Sequence, residues 1–232
     1  MFFIGYQAGK AMTSGGSNVA IGSEALKAED SRSFSVAVGT SALTAQDAGA
    51  HAYNTGLGHN AGNTVTTGVK NTCVGAKAGG DNSLITGSNN IVIGYAAAPS
   101  ADDADNEITL GDANITAFRC ADQSIAALSD ARDKTNVKDS SFGLDFIDSI
   151  RPVEFEWDFR PENMAEAKQG KKRVGFIAQE LQEAMPNGEN EILDLVYEIN
   201  EDRIEAKYGN LVPILVKAVQ ELSAKVKMLE NK

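Results

Sequence analysis

Along the first half of the chain, short apolar triplets recur at a set distance from a glycine. Gly5, Gly22, Gly39, Gly58, Gly75, Gly94 and Gly111 follow one another at intervals of 17, 17, 19, 17, 19 and 17 residues, and such a period marks a stacked repeat architecture. The residue before each glycine is aliphatic (Ile4, Ile21, Val38, Leu57, Val74, Ile93, Leu110), and the residue three before it is apolar or threonine (Phe2, Val19, Val36, Thr55, Thr72, Ile91, Ile108). Two positions apart in a strand is one face, so these line a common face. The residue between them, such as Ala20, Ala37, Gly56 or Cys73, points the other way and is mostly small. Alanine stands three residues after the glycine in six of the seven units, and the last has Asn114 instead, as expected of a terminal repeat. At ~3.3 Å per strand residue, a coil of this length holds two short strands joined by Gly, Asn, Ser and Thr turns. Thin coils bury little alone, which predicts association of several chains around a common axis.

The pattern changes after residue 112. Ile115, Phe118, Ile125 and Leu128, spaced among small polar residues, predict a β linker over 113–128 that knits chains together, with Cys120 inside that packing. Residues 129–232 read as an α+β domain. Leu144, Ile147 and Ile150 have helical spacing and Pro152 follows the stop. In Val153-Glu154-Phe155-Glu156-Trp157 the apolar residues alternate with glutamates, which predicts a half-buried strand with both carboxylates in water. A basic loop over residues 168–173 precedes an expected buried strand, Val174–Ile177, and Ala178–Met185 forms a short helix ended by Pro186. The last helix carries Val212, Val219 and Val226 interleaved with Leu215, Leu222 and Leu229, a three-heptad coiled-coil seam. Valine at a with leucine at d favours two parallel strands.

Composition places the boundary between halves and removes several function classes. Residues 1–112 hold 17 of the 22 glycines and 15 charged residues, while residues 113–232 hold 5 glycines and 38 charged residues. Both halves are acidic and the net charge is -11, which argues against nucleic acid as a partner. Nothing approaches the ~18 apolar residues of a membrane span, and the N-terminus lacks the basic and apolar segments of a secretion signal. Cys73 and Cys120 are isolated and expected to be reduced, and the acidic loop over residues 99–106 lacks the closing glutamate of a calcium loop. No metal or cofactor is implied.

The two histidines, His51 and His59, both lie in the repeats, so a Ser-His-Asp site is excluded from the second half and any serine nucleophile there needs another base. Ser129 and Lys134 form a candidate pair, provided that burial or a nearby cation makes the lysine a usable base. Arg132 favours that shift; Asp130 and Asp133 oppose it. In isolation the same segment reads as a helical turn capped by Ser129 with Asp130 in its first turn, and Asp130 and Arg132 read either as a structural ion pair or as direct participants.

The units NVAIGSEAL, SVAVGTSAL, NTCVGAKAG and FFIGYQAG resemble the head repeats of trimeric autotransporter adhesins and the same repeats in bacteriophage tail fibres. That resemblance covers residues 2–111 and implies a left-handed parallel β-roll, three chains to a fibre. From ITLGDANITAFRC through Ser129-Asp130-Ala131-Arg132-Asp133-Lys134, and on through RPVEFEWDF, VGFIAQEL and PILVKAVQEL, the chain resembles the C-terminal intramolecular chaperone domain of phage tail spikes and fibres. This is a self-cleaving serine peptidase family. The resemblance implies a Ser129–Lys134 dyad, a cut between Leu128 and Ser129, and Gln179 and Glu180 as candidates for positioning the junction. It further implies a homotrimer assembled in the host cytoplasm and carried on the virion, touching a host-surface receptor or glycan through the mature fibre. The alternatives are a trimeric fibre whose last domain stays attached as a cap, and a bacterial surface adhesin; the latter should end in a membrane-anchoring β-barrel, whereas this terminus is a soluble helix.

Overall fold

The structure is a computed structural model that describes residues 1–231, apart from 32, 50, 82, 123–124, 159–166, 186–188 and 201–202. Two compact units result. Residues 1–116 make up most of the first, and residues 117–158 with 169–232 form the second.

The first unit is a parallel β-solenoid. Its seven strands, β1 (Phe2–Ile4), β2 (Val19–Ile21), β3 (Val36–Val38), β4 (Thr55–Leu57), β5 (Thr72–Val74), β6 (Ile91–Ile93) and β7 (Ile108–Leu110), pair in chain order. The register sets equivalent repeat positions on one another, Ala20 on Ala37 and Ile21 on Val38. Each coil contributes one strand of three residues, where two strands were expected. Outside the strand, left-handed residues interrupt the chain: in the first six units the alanine N–H returns to the glycine carbonyl, as Ala61 does to Gly58 at 3.2 Å, and φ turns positive at the residue before the alanine and again before the next strand, 58° at Asn60 and 62° at Lys70. That geometry leaves too little extended chain for a second strand.

Inside the coils the small residues are fully enclosed. Ala20, Ala37, Cys73 and Val92 from the strands and Ala25, Ala42, Ala61, Ala78 and Ala97 from the turns are all at 0% exposure. The alanine column therefore lines the coil interior, and Leu26, Leu43, Val65 and Leu84 fill the gaps between it and the strands. Burial pushes the Cys73 thiol up to about 12.

Two columns lock one coil to the next. The glycine column adopts φ near +130°, and a Cβ on Gly58 would come within 2.6 Å of the Gly75 carbonyl oxygen, so only glycine lets these backbones approach. The second column is asparagine. The side-chain carbonyls of Asn54, Asn71 and Asn90 accept from the backbone N–H of Asn71 (2.8 Å), Asn90 (3.0 Å) and Glu107 (2.9 Å). Their amides donate to carbonyls of the next coil, as Asn71 does to Gly87 at 2.8 Å. Where the column is interrupted by Ser35, Gln46 bridges it, donating to Ser35 Oγ (3.0 Å) and to the buried Glu29 (2.8 Å) and accepting from Asn54 (2.9 Å).

Beyond β7 the expected β linker is not formed in the single chain: the described residues of 113–128 contain neither strand nor helix. Phe118, Ile125 and Leu128 are 73%, 94% and 102% exposed, and Cys120 is exposed with its thiol directed at the Asp122 carbonyl. An extended segment without a ladder partner has no means of satisfying its backbone except water.

The second unit packs helix α1 (Leu144–Ser149), helix α2 (Ala178–Glu183), helix α3 (Asn190–Leu193) and helix α4 (Leu211–Glu230) with two antiparallel hairpins. One hairpin pairs β8 (Val153–Glu156) with β9 (Lys172–Gly175), the other β10 (Val196–Asn200) with β11 (Arg203–Ala206). Phe146, Leu181, Met185, Leu195, Leu211 and Ile214 meet in the core. The strand expected to be buried at Val174–Ile177 is instead a hairpin edge, with Val174 70% exposed, because a two-stranded sheet leaves a face open. Pro186 lies outside the described residues.

Helix α4 presents two apolar stripes. Leu211, Ile214 and Ala218 are buried against the unit's own core, and Glu221 accepts from the Leu144 N–H at 2.8 Å, over Gly143, whose missing Cβ leaves the carboxylate room. The heptad stripe is the other one: Val212, Leu215, Val219, Leu222, Val226 and Leu229 are 44–68% exposed.

Two outcomes follow for the solenoid. Asn71→Ala strands a buried N–H and a buried carbonyl, lowering unfolding free energy by about 2–4 kcal/mol in a denaturant titration. Titration of the native protein with an aromatic disulfide at pH 8 consumes one thiol per chain, Cys120, and Cys73 reacts only after unfolding.

Candidate functional site

The stretch from Leu128 to Lys134 is exposed along its whole length. Its shape comes from one residue. Asp130 caps a 3-10 turn, Ala131–Asp133, by accepting the Arg132 N–H at 2.9 Å, and the same carboxylate grips the Arg132 guanidinium, Nε to Oδ1 at 3.0 Å and Nη2 to Oδ2 at 2.6 Å. The turn closes with the Lys134 N–H on the Ala131 carbonyl at 3.3 Å. Tightening the chain over five residues brings the Lys134 Nζ to 2.6 Å from Ser129 Oγ, a hydrogen-bond distance. A single turn thus joins a hydroxyl to an amine, with the Leu128 carbonyl directly attached to the serine nitrogen.

The Arg132 side chain serves Asp130 as a forked partner and so does not stand as a free cation beside Lys134. Its hydrogen bonds hold the Asp130 carboxyl below the usual carboxylate range, and the same bonds raise the guanidinium. Of the two sequence readings of this pair, the geometry is that of the ion pair that keeps the turn's shape. Glu180 is likewise engaged elsewhere, by a forked pair with Arg151 whose Nε lies 3.1 Å from Oε2. Gln179 is exposed in the first turn of α2. Among the described residues neither makes a hydrogen bond to the segment 128–134.

Downstream, the chain enters the folded unit at Phe142, whose ring meets Phe146 edge-on at 6.0 Å, and at Leu144, held by Glu221 of α4. Sequence reasoning had no signal for Glu221: a glutamate between two heptad positions of an exposed helix looks like an ordinary solvated charge, and its partner is 77 residues away.

Comparison with known proteins bears on this half of the chain. Residues 129–188 match the family model of a peptidase family described as the chaperone of endosialidase. The segment is similar to that family over these residues. No curated protein and no solved structure matches the chain. The domain match opens on Ser129, the hydroxyl that Lys134 approaches, and runs through α1, β8, β9 and α2. No described helix is long and apolar enough to cross a membrane.

The turn's electrostatics are measurable. Asp130 has a folded-state value below its unfolded one, so the pair's contribution is complete above ~3.9 and is lost as pH falls through the folded value. In Arg132→Ala the Asp130 carboxyl resonance is expected to titrate at higher pH than in wild type, because the guanidinium bonds are lost while the backbone N–H bond remains.

Proposed function

We propose that this chain is part of a homotrimeric virion tail fibre or spike whose terminal domain, residues 129–232, directs folding and assembly and is then cut away by its own Ser129–Lys134 dyad at Leu128–Ser129. The observation that carries this reading is the 2.6 Å approach of Lys134 Nζ to Ser129 Oγ at the first residue of a peptidase-family match.

The step balances within the chain. Lys134 takes the hydroxyl proton, Ser129 Oγ bonds to the Leu128 carbonyl carbon, and the carbon–nitrogen bond to Ser129 breaks as its nitrogen takes a proton. Water then hydrolyses the ester, leaving a Leu128 carboxylate and restoring the serine hydroxyl. Attachment of nucleophile to electrophile supplies proximity at no binding cost. A lysine amine serves as a base near neutral pH only after desolvation or a neighbouring cation lowers its proton affinity. The junction is open to water in a single chain and Arg132 is committed to Asp130. Assembly therefore contributes cover: neighbouring chains exclude water from a pair whose spacing is already set.

Two surfaces support assembly. An all-parallel sheet requires both faces covered, yet the outward face of the solenoid leaves Ile4, Leu57, Ile91 and Leu110 38–54% exposed. The heptad stripe of α4 is open as well, and beyond Glu221 the helix is exposed throughout, a length that is marginal without partner helices. Loss of the terminal domain then removes the reverse path of folding, so the fibre persists through a high unfolding barrier. The mature part, residues 1–128, meets a host receptor or glycan.

Expression of the full chain with denaturing electrophoresis is expected to give fragments of 128 and 104 residues, and Ser129→Ala or Lys134→Ala to leave it intact. An uncut chain in a folded trimer sinks the peptidase reading in favour of a permanent cap. Cleavage onset in a dilution series is expected to slow as chains are diluted below the assembly concentration, and a rate independent of concentration throughout overturns the role given to cover.

A further inference from the structure

Each coil turns into its outward strand through one residue with a left-handed backbone, and six successive coils place Ser17, Phe34, Tyr53, Lys70, Asn89 and Asn106 there, at φ of 57°, 71°, 52°, 62°, 60° and 61°. This conformation suits glycine and asparagine and penalises bulky side chains. Asn89 and Asn106 are what the backbone prefers; Phe34 and Tyr53 run against it. The two rings stack in adjacent coils with centroids 5.2 Å apart and planes 5° from parallel, His51 meets the Phe34 ring edge-on at 5.1 Å, and Phe34 and Tyr53 remain 45% and 50% exposed. His51 also meets Tyr53 edge-on at 6.2 Å, yet among the described residues these ring contacts leave both aromatics half in water at strained corners.

We propose that Phe34 and Tyr53 are anchor residues of the contact between copies of this chain, an assignment that rests on the homotrimeric reading above and locates its strongest point. Three features select a second copy as the occupant. The exposed rings stand two residues before Val36 and Thr55, the first residues of β3 and β4, with buried Ser35 and Asn54 between, so they border the open face of the parallel sheet. That face repeats at the spacing of the coils, and another array of the same repeats matches it column for column. Finally, the three outward columns contain one lysine, Lys70, and no carboxylate, so chains of net charge -11 meet there without opposing carboxylates. Large aromatics at the centre of such a contact carry much of its energy.

The test substitutes what the backbone prefers. In the full chain, Phe34→Asn together with Tyr53→Asn is expected to preserve the circular dichroism spectrum and to raise the concentration at which the oligomer dissociates in sedimentation by at least tenfold. A dissociation profile equal to wild type overturns the proposal and leaves the rings to a foreign ligand such as a carbohydrate. Because the double variant can fail to fold, a photocrosslinking phenylalanine analogue is also placed at position 53 of the otherwise native chain. Crosslinks to the solenoid of a second copy are expected, and crosslinks confined to its own chain overturn the assignment. Wild type is sedimented alongside: a monomer sinks the trimeric reading and this one together, whereas an oligomer whose crosslinks are only internal sinks this one alone.

Discussion

Everything in the first half of this protein depends on how closely one backbone coil can lie on the next. Strands of three residues hold nothing by themselves, so the solenoid exists only because successive coils are in contact through their main chains. The glycine column permits that contact at a left-handed corner where any Cβ would strike the neighbouring carbonyl, and the asparagine column satisfies the buried amides that the contact creates. The two devices act together. Removing water from the coil interior is favourable only if the backbone groups enclosed with it find partners, and at Ser35, where the asparagine is missing, Gln46 reaches across to supply them.

That economy of material has a consequence on the outside. The strands turn mostly small residues into the coil interior and larger aliphatic ones to the opposite face, and in one chain this face is open. The second unit repeats the situation in helical form: one stripe of α4 closes its own core and the next stripe stays uncovered. Two architecturally unrelated parts of the same chain thus stop short of complete burial, and both leave an apolar surface with the periodicity of the element that carries it.

The Ser129–Lys134 turn differs in kind, because it is ordered by local bonds alone. Asp130 caps the turn and clamps Arg132, and these contacts suffice to bring the hydroxyl and the amine together while water still surrounds them. Exposed ion pairs of this sort contribute little to stability. Their effect here is geometric, holding a five-residue spacing at hydrogen-bond length.

Local rules made much of this legible from residues alone. Glycine periodicity, the aliphatic positions around it and the heptads of α4 specify which elements form, since each follows from the intrinsic geometry of strand and helix. A turn after Ser129 was readable as well, its partners being within five residues, but the cap is Asp130 and not the Ser129 that the sequence suggested. Other features were decided only in three dimensions. Whether a coil has one strand or two depends on the left-handed residue after each glycine. The buried role of Asn54, Asn71 and Asn90 depends on a carbonyl one coil away, although asparagine in sequence signals only a turn. Val174 is apolar yet exposed because its hairpin has two strands and no third, and Glu221 acquires Leu144 as a partner only when α4 packs on α1. Periodicity is a property of neighbours along the chain and survives in the sequence; burial and hydrogen-bond partnership across many residues belong to the packed backbone, which no single stretch encodes.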